Sequence, residues 1–384
     1  MKKILLQLTV ILSFITCASA IDLLPQESPS FNRRVRNLGM GNVGVSIIGT
    51  TDSAAFYNAA GLNDITKSEL RFMTITAEVS ENSYGLVGDV NDLYDDIKDA
   101  DGDANKTRVL NDFIQDRTGE FQHARFSIEL ISYTKKNFSA GLLFDEKLDL
   151  SFRDQSFPHF DIRTLGDVSA YVGFSTGFWD QLLQVGMTLK PTMRFAMNED
   201  DQQITFADVT TENSNGDPIL VDQVENVYDN RQFAVPVDIG IKSDLEFPFL
   251  KGTYFIDQLK PQIGLTWEDI ASPSYAPLPG PGQTVNSGFS INPNFGSIKT
   301  LLALEFREIN RDRPTLSKFH TGLEVKFPAI FAVRGGLSQG YFTGGFTVDL
   351  VFVKIDAAMY SEEVGYSTRE AGNLRYAATL GFKI

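Results

Sequence analysis

Long segments in which apolar and polar residues alternate one by one constrain this chain most. In 167–178 one set reads Val168, Ala170, Val172, Phe174, Thr176 and Phe178, and the other Ser169, Tyr171, Gly173, Ser175 and Gly177. In 318–327 Phe319, Thr321, Leu323, Val325 and Phe327 alternate with Lys318, His320, Gly322, Glu324 and Lys326. The last segment sets Leu374, Tyr376, Ala378, Leu380, Phe382 and Ile384 against Asn373, Arg375, Ala377, Thr379, Gly381 and Lys383. Side chains on a strand point to opposite faces in turn, so this pattern specifies strands with one apolar and one polar face.

Comparable segments lie near 70–80, 124–134, 137–152, 181–197, 232–244, 260–269, 297–309, 329–338, 340–350 and 352–362. A weak one at 202–208 is either a further strand or part of a loop. These are long beside globular strands of ~5–6 residues and suit tilted membrane strands of about 9–11. Some connections are very short, at Lys135–Asn137, Phe178–Gln181 and Leu350–Phe352. Others are long and polar, at Glu81–Gln122, Asn198–Arg231 and Ala271–Asn294. Short turns at one end and long loops at the other are the habit of outer-membrane barrels. Alternation alone fits a soluble barrel as well, with its apolar face turned inward. Strand length, an export leader and the C-terminal pattern Tyr376-x-x-x-Leu380-x-Phe382-x-Ile384 favour the membrane. The expected fold is therefore all-β: a transmembrane antiparallel β-barrel of about 14 strands.

The leader is residues 1–20: Lys2 and Lys3, an apolar run from Ile4 to Ile15, and Ala18-Ser19-Ala20 as cleavage site. The run is shorter than the ~20 residues a membrane helix needs. Phe14, Ile15 and Thr16 precede Cys17 where lipoprotein cleavage takes small residues, so no lipid anchor is expected. Cys17 is the only cysteine, which leaves the exported chain without disulfide or thiol chemistry. Loss of Lys2 and Lys3 takes 34 basic residues to 32 against 49 acidic ones, a net charge of −17. Nucleic acid needs a basic face and is excluded as a partner.

The acidic stretch 81–122 carries Val90, Leu93, Tyr94 and Ile97, then Val109, Leu110, Phe113 and Ile114, at helical spacing. It reads as two helices with a turn near Asp101-Gly102, lying over the barrel or at its rim. Asp99, Asp101 and Asp103 invite a calcium-loop reading. In that register Ala104 and Leu110 occupy positions that need Gly and Glu, so the reading fails. His123, His159 and His320 share no metal-ligand spacing. His320 and Glu324 lie on one polar face, as members of a lumen network or of a proton relay. Gly173-Phe174-Ser175-Thr176-Gly177 places its second glycine one residue late for a nucleophile elbow. No enzyme, cofactor or metal is expected. Parts of the loops, Phe206–Val209 and Tyr275–Gly282, are candidates for an apolar groove.

Gly39, Gly41 and Gly44 form G-x-G-x-x-G, with Asp64 at about the distance of a ribose ligand, roughly 20 residues on. The context refutes a nucleotide site. The preceding 31–37 is too charged for a buried parallel strand, and Val45–Ile48 is β-branched and too short for the helix required. The wider stretch Leu38–Leu62 resembles the N-terminal segment of FadL-like outer-membrane proteins. The matches are Gly39, Met40, Gly41, Gly44, Asp52, Ala54, Ala55, Phe56, Tyr57, Asn58, Ala60, Gly61 and Leu62; Ala59 stands where the family usually has proline. The segment 333–365, with Asp356-Ala357-Ala358, resembles the PorV and TraF-like branch.

The resemblance implies three parts: the leader, an N-terminal hatch at 21–65 inside the lumen, and a barrel at 66–384 with its helical insertion. It implies a bacterial outer-membrane channel for small hydrophobic molecules. Gly39, Met40, Gly41, Gly44, Asp52, Phe56, Tyr57, Asn58 and Gly61 are its ligand and hatch residues. Outer-membrane lipid, a small hydrophobic ligand and the insertion machinery that reads the C-terminal strand are the implied partners. The alternative is a non-conducting barrel that docks partners in secretion or surface assembly. A channel calls for an apolar pocket touching Gly39–Gly61; a docking barrel calls for a filled lumen.

Overall fold

The computed structural model describes residues 33–384, apart from 154–158, 180, 197–202, 205–229, 246–258, 271–273, 329 and 366. The leader, residues 21–32 and the groove candidate Phe206–Val209 lie outside the described residues.

One antiparallel sheet closes on itself. Its strands are β1 (Glu69–Ser80), β2 (Phe121–Lys135), β3 (Phe138–Arg153), β4 (His159–Phe178), β5 (Leu183–Leu189 and Thr192–Ala196), β6 (Arg231–Ala234 and Val237–Asp244) and β7 (Gln262–Glu268). Then come β8 (Thr284–Ile291 and Asn294–Phe295), β9 (Ile298–Phe306), β10 (Phe319–Lys326), β11 (Phe331–Ser338), β12 (Tyr341–Asp349), β13 (Val353–Glu363) and β14 (Gly372–Lys383). The seam pairs β1 with β14, Ala77 opposite Ala378, and Leu70 and Ile384 exchange backbone bonds of 3.0 and 2.8 Å at its end. Among the described residues, closure leaves no edge strand unpaired.

Alternation resolves outward. Phe174, Phe178, Leu323, Leu380 and Phe382 are exposed, while Ser169, Tyr171, His320, Glu324 and Arg375 are buried. Water-soluble proteins do not wrap themselves in such a belt, and lipid is what it fits. The fold is a transmembrane barrel with a polar interior. The short connections from β2 to β3, β4 to β5, β10 to β11 and β12 to β13 share one end with Leu70 and Ile384. At the other end stand α3 (Ser83–Asp99) and α4 (Asp103–Asp116), the helical insertion. Leu110 and Ile114 bury against Phe152 at the tip of β3, with Leu86 and Leu93 alongside, so the pair leans on the rim.

Two expectations need correcting, and one left open is decided for a strand. Ala271–Asn294 is not one loop, because Thr284–Ile291 is a wall strand paired with β7 and β9. Its inner face is Thr284, Asn286, Gly288 and Ser290, small and polar, and the prolines just before it obscured its weak alternation. Gln203–Ile204, in the weak segment, pairs with β4 in line with β5. Tyr275–Gly282 does not form an open groove: Tyr275 and Leu278 are buried against Ala196 and Ala234. There the Arg194 guanidinium lies 4.3 Å from the Tyr275 ring and donates to the Pro279 carbonyl at 2.7 Å. Two adjacent strands are also interrupted by proline, β5 at Pro191 and β6 at Pro236. Proline has no N–H to give a ladder, and each strand is broken there into two segments.

Candidate functional site

Residues 33–65 lie inside the barrel against its wall, and we refer to them as the plug. They form α1 (Val35–Leu38), α2 (Ala54–Tyr57) and a 3-10 turn (Ala59–Asp64) joined by irregular backbone. Irregular backbone cannot face lipid and must find partners within protein. It finds them on the wall.

The glycine-rich stretch does cradle an anion, and the anion belongs to the barrel. The N–H groups of Gly44, Val45 and Ser46 donate to Glu305 at 2.9, 2.7 and 3.2 Å. Successive backbone N–H groups make a concave anion site, here closed by a fully buried carboxylate on β9. Gly41 has φ +66°, which favours glycine, and a Cβ there would overlap the Thr321 carbonyl. Its N–H donates to Thr343 Oγ1 at 2.8 Å, and its carbonyl meets His320 Nδ1 at 2.8 Å. That contact spends His320 on the plug, while Glu324 serves arginines, so no relay links them. Met40 is wholly buried with Val43, Ile47, Leu301 and Ala303.

Wall glycines make room for this backbone. A Cβ at Gly186 would strike Ala59 and Ala60, one at Gly264 the Val45 carbonyl, and one at Gly322 the Met40 carbonyl. Gly39 and Gly345 face each other across the same narrow gap. Gly61 packs on Gly49, and Gly44 lies under the Tyr57 ring.

Ion pairs complete the seam. Arg33 reaches Glu362 at 2.5 Å, Arg34 reaches Glu129 at 3.3 Å, and Arg36 grips Glu324 through bonds of 2.8 and 3.0 Å. Asp52 receives Lys354 Nζ at 2.5 Å, and Asp64 pairs with Lys242. Burial pushes the Asp52 carboxyl up, but Lys354, Arg71 and Arg36 outweigh it and hold the group well below the usual carboxylate range. Phe56 meets Tyr171 edge-on at 4.6 Å, with the Arg34 guanidinium 4.1 Å from its ring. Tyr57 donates to Asn42 at 2.7 Å, and burial pushes its hydroxyl up to about 12. Asn58 donates to the Val45 and Ile241 carbonyls at 2.7 and 3.1 Å and accepts from Ala60 N–H, doing the work of a turn without the proline.

All nine expected residues thus lie in one buried body, where they contact plug and wall. Sequence reading missed Arg33, Arg34 and Arg36, whose signal was a basic run in an acidic chain. It also missed the wall partners Glu305, Glu362, Lys354 and Lys242, which only the closed sheet brings to them.

No family model matches this chain, and no curated protein matches it. Among solved structures it is similar to the CymD monoaromatic hydrocarbon channel, with 9% identity, 95% of this chain and 98% of that one covered, and a TM-score of 0.43. It is also similar to the toluene transporters TbuX of Ralstonia pickettii (9% identity, 93% and 98% covered, TM-score 0.41) and TodX of Pseudomonas putida (9%, 95% and 98%, 0.41). Likeness this remote assigns no role to any residue here.

Proposed function

We propose that this protein is an outer-membrane barrel that passes small hydrophobic molecules when its plug, acting as a hatch, shifts. The short-turn end then faces the periplasm and the helical insertion the outside. The character of the seam carries this reading: five ion pairs and backbone-to-side-chain bonds hold the plug, with two small shared apolar clusters around Leu38 and Met40. Polar interfaces of this kind within a chain favour relative motion over permanent burial. The hydrocarbon channels and transporters among the similar structures suit the same substrate class.

The test is a tether. Ser290 Oγ donates to the Ser46 carbonyl at 2.8 Å, so cysteines at 46 and 290 lie close enough for a disulfide trial. With the bridge formed, uptake of an apolar compound into cells or liposomes stops, and reductant restores it. Uptake that persists with the bridge intact removes the hatch.

A second reading is a non-conducting docking barrel. It is favoured by one cavity beside the plug, of about 30 Å³, whose lining among the described residues is mostly charged side chains. Under that reading the purified barrel conducts nothing, carries no apolar ligand by mass spectrometry, and keeps its partners when tethered.

A further inference from the structure

We propose that the seam between plug and wall is a binding site for one small anion, of halide or carboxylate chemistry. The cavity lies where α1 passes β1, β13 and β14, toward the short-turn end. Its lining sets five cationic side chains, Arg34, Arg36, Arg71, Lys354 and Lys383, against two acids, Asp52 and Asp356.

The acids are already engaged. Asp52 accepts from Thr50 on one oxygen and from Lys354 on the other. Asp356 accepts from Thr347 and Arg334 on one oxygen, and its other oxygen lies 3.2 Å from Lys354 Nζ. The donors are not all engaged. Arg36 Nη1, Arg34 Nε and Thr74 Oγ1 are buried without a hydrogen-bond partner, and the Arg36 side chain is only 6% exposed. An unsatisfied buried donor is costly, and three on residues that line one cavity call for an acceptor. All three can donate, which selects an anion over a cation.

The wall is shaped for it. Met73 has φ +49°, and the β1 register slips between Phe72 and Ile75, so Arg71 and Thr74 both turn inward. The facing strand slips at Leu130, between Glu129 and Ile131. Paired bulges re-aim side chains in this way beside functional sites. A space of about 30 Å³ holds one or two water-sized groups, which admits a halide or a single carboxylate and excludes a phosphate ester.

The test uses the full chain in detergent at fixed ionic strength, replacing a bulky organic sulfonate with bromide or with formate. Occupancy of a native-state site raises the unfolding midpoint with the logarithm of anion concentration. Crystals in bromide should give an anomalous peak within hydrogen-bond reach of Arg36 Nη1. Thr74→Val, which removes one donor and keeps the ion pairs, should weaken the response about fivefold. A response to bromide alone assigns a halide site, and one to formate alone a carboxylate site. Equal midpoints in sulfonate, bromide and formate, or a peak elsewhere, overturn the proposal.

Discussion

Gly44, Val45 and Ser46 point three N–H groups at one carboxylate, so Glu305 is a fulcrum for the plug. Glu305→Ala strands those groups in a buried setting, at about 1–3 kcal/mol each. Amide exchange at 44–46 should speed up by at least about tenfold, while exchange in β9 itself stays slow. Glu305→Gln, which keeps one acceptor, should fall between. Asp52 fixes how the plug answers to acid. Its carboxyl is depressed in the docked state, so its contribution is full above the free value of about 3.9 and is lost only as pH falls through the docked value. Protease access to the plug should therefore be flat from pH 5 to 8 in the wild type and raised throughout that range in Asp52→Asn. Tyr57 works in the opposite direction. Its hydroxyl is raised to about 12, so docking weakens as pH climbs past the ordinary value of about 10, and Tyr57→Phe removes that alkaline component.

At the scale of elements, most strands were legible because lipid demands an apolar residue at every second position. Thr284–Ile291 was not. Its inner face, Asn286, Gly288 and Ser290, answers to the plug, and its outer face carries Ser287 beside Phe289. The strand breaks at Pro191 and Pro236 could be seen as prolines but not as neighbours, since that depends on β5 pairing with β6. The helical pair was legible from its period, but its seat on Phe152 was not. That seat is small, so replacing 83–116 with a short Gly-Ser linker should leave a closed barrel. The measurement is heat-modifiable migration in detergent gels; loss of the compact band would show that the insertion is required for folding.

For the whole molecule, charge is what the plug hides. Among the described residues, Glu129, Glu324 and Glu362 lose the three plug arginines when it goes, whereas Lys242 and Lys354 lose the two plug aspartates, so the bare wall gains one more uncompensated negative charge than positive. A chain lacking 33–65 should therefore form cation-selective pores in planar bilayers, with reversal potentials shifted toward that of the cation; anion selectivity would contradict this wall arrangement. None of this was readable from the glycine stretch alone, because G-x-G-x-x-G describes a backbone shape and not the partner that fills it. The wall glycines carry one more consequence, for the closing of the barrel. Gly186, Gly264, Gly322 and Gly345 sit on four different strands, yet each leaves space for the same thread of backbone. That thread enters just ahead of β1, and β14 is the strand that meets β1. Docking of that thread and pairing of β1 with β14 are therefore coupled through one short stretch of chain, residues 66–68.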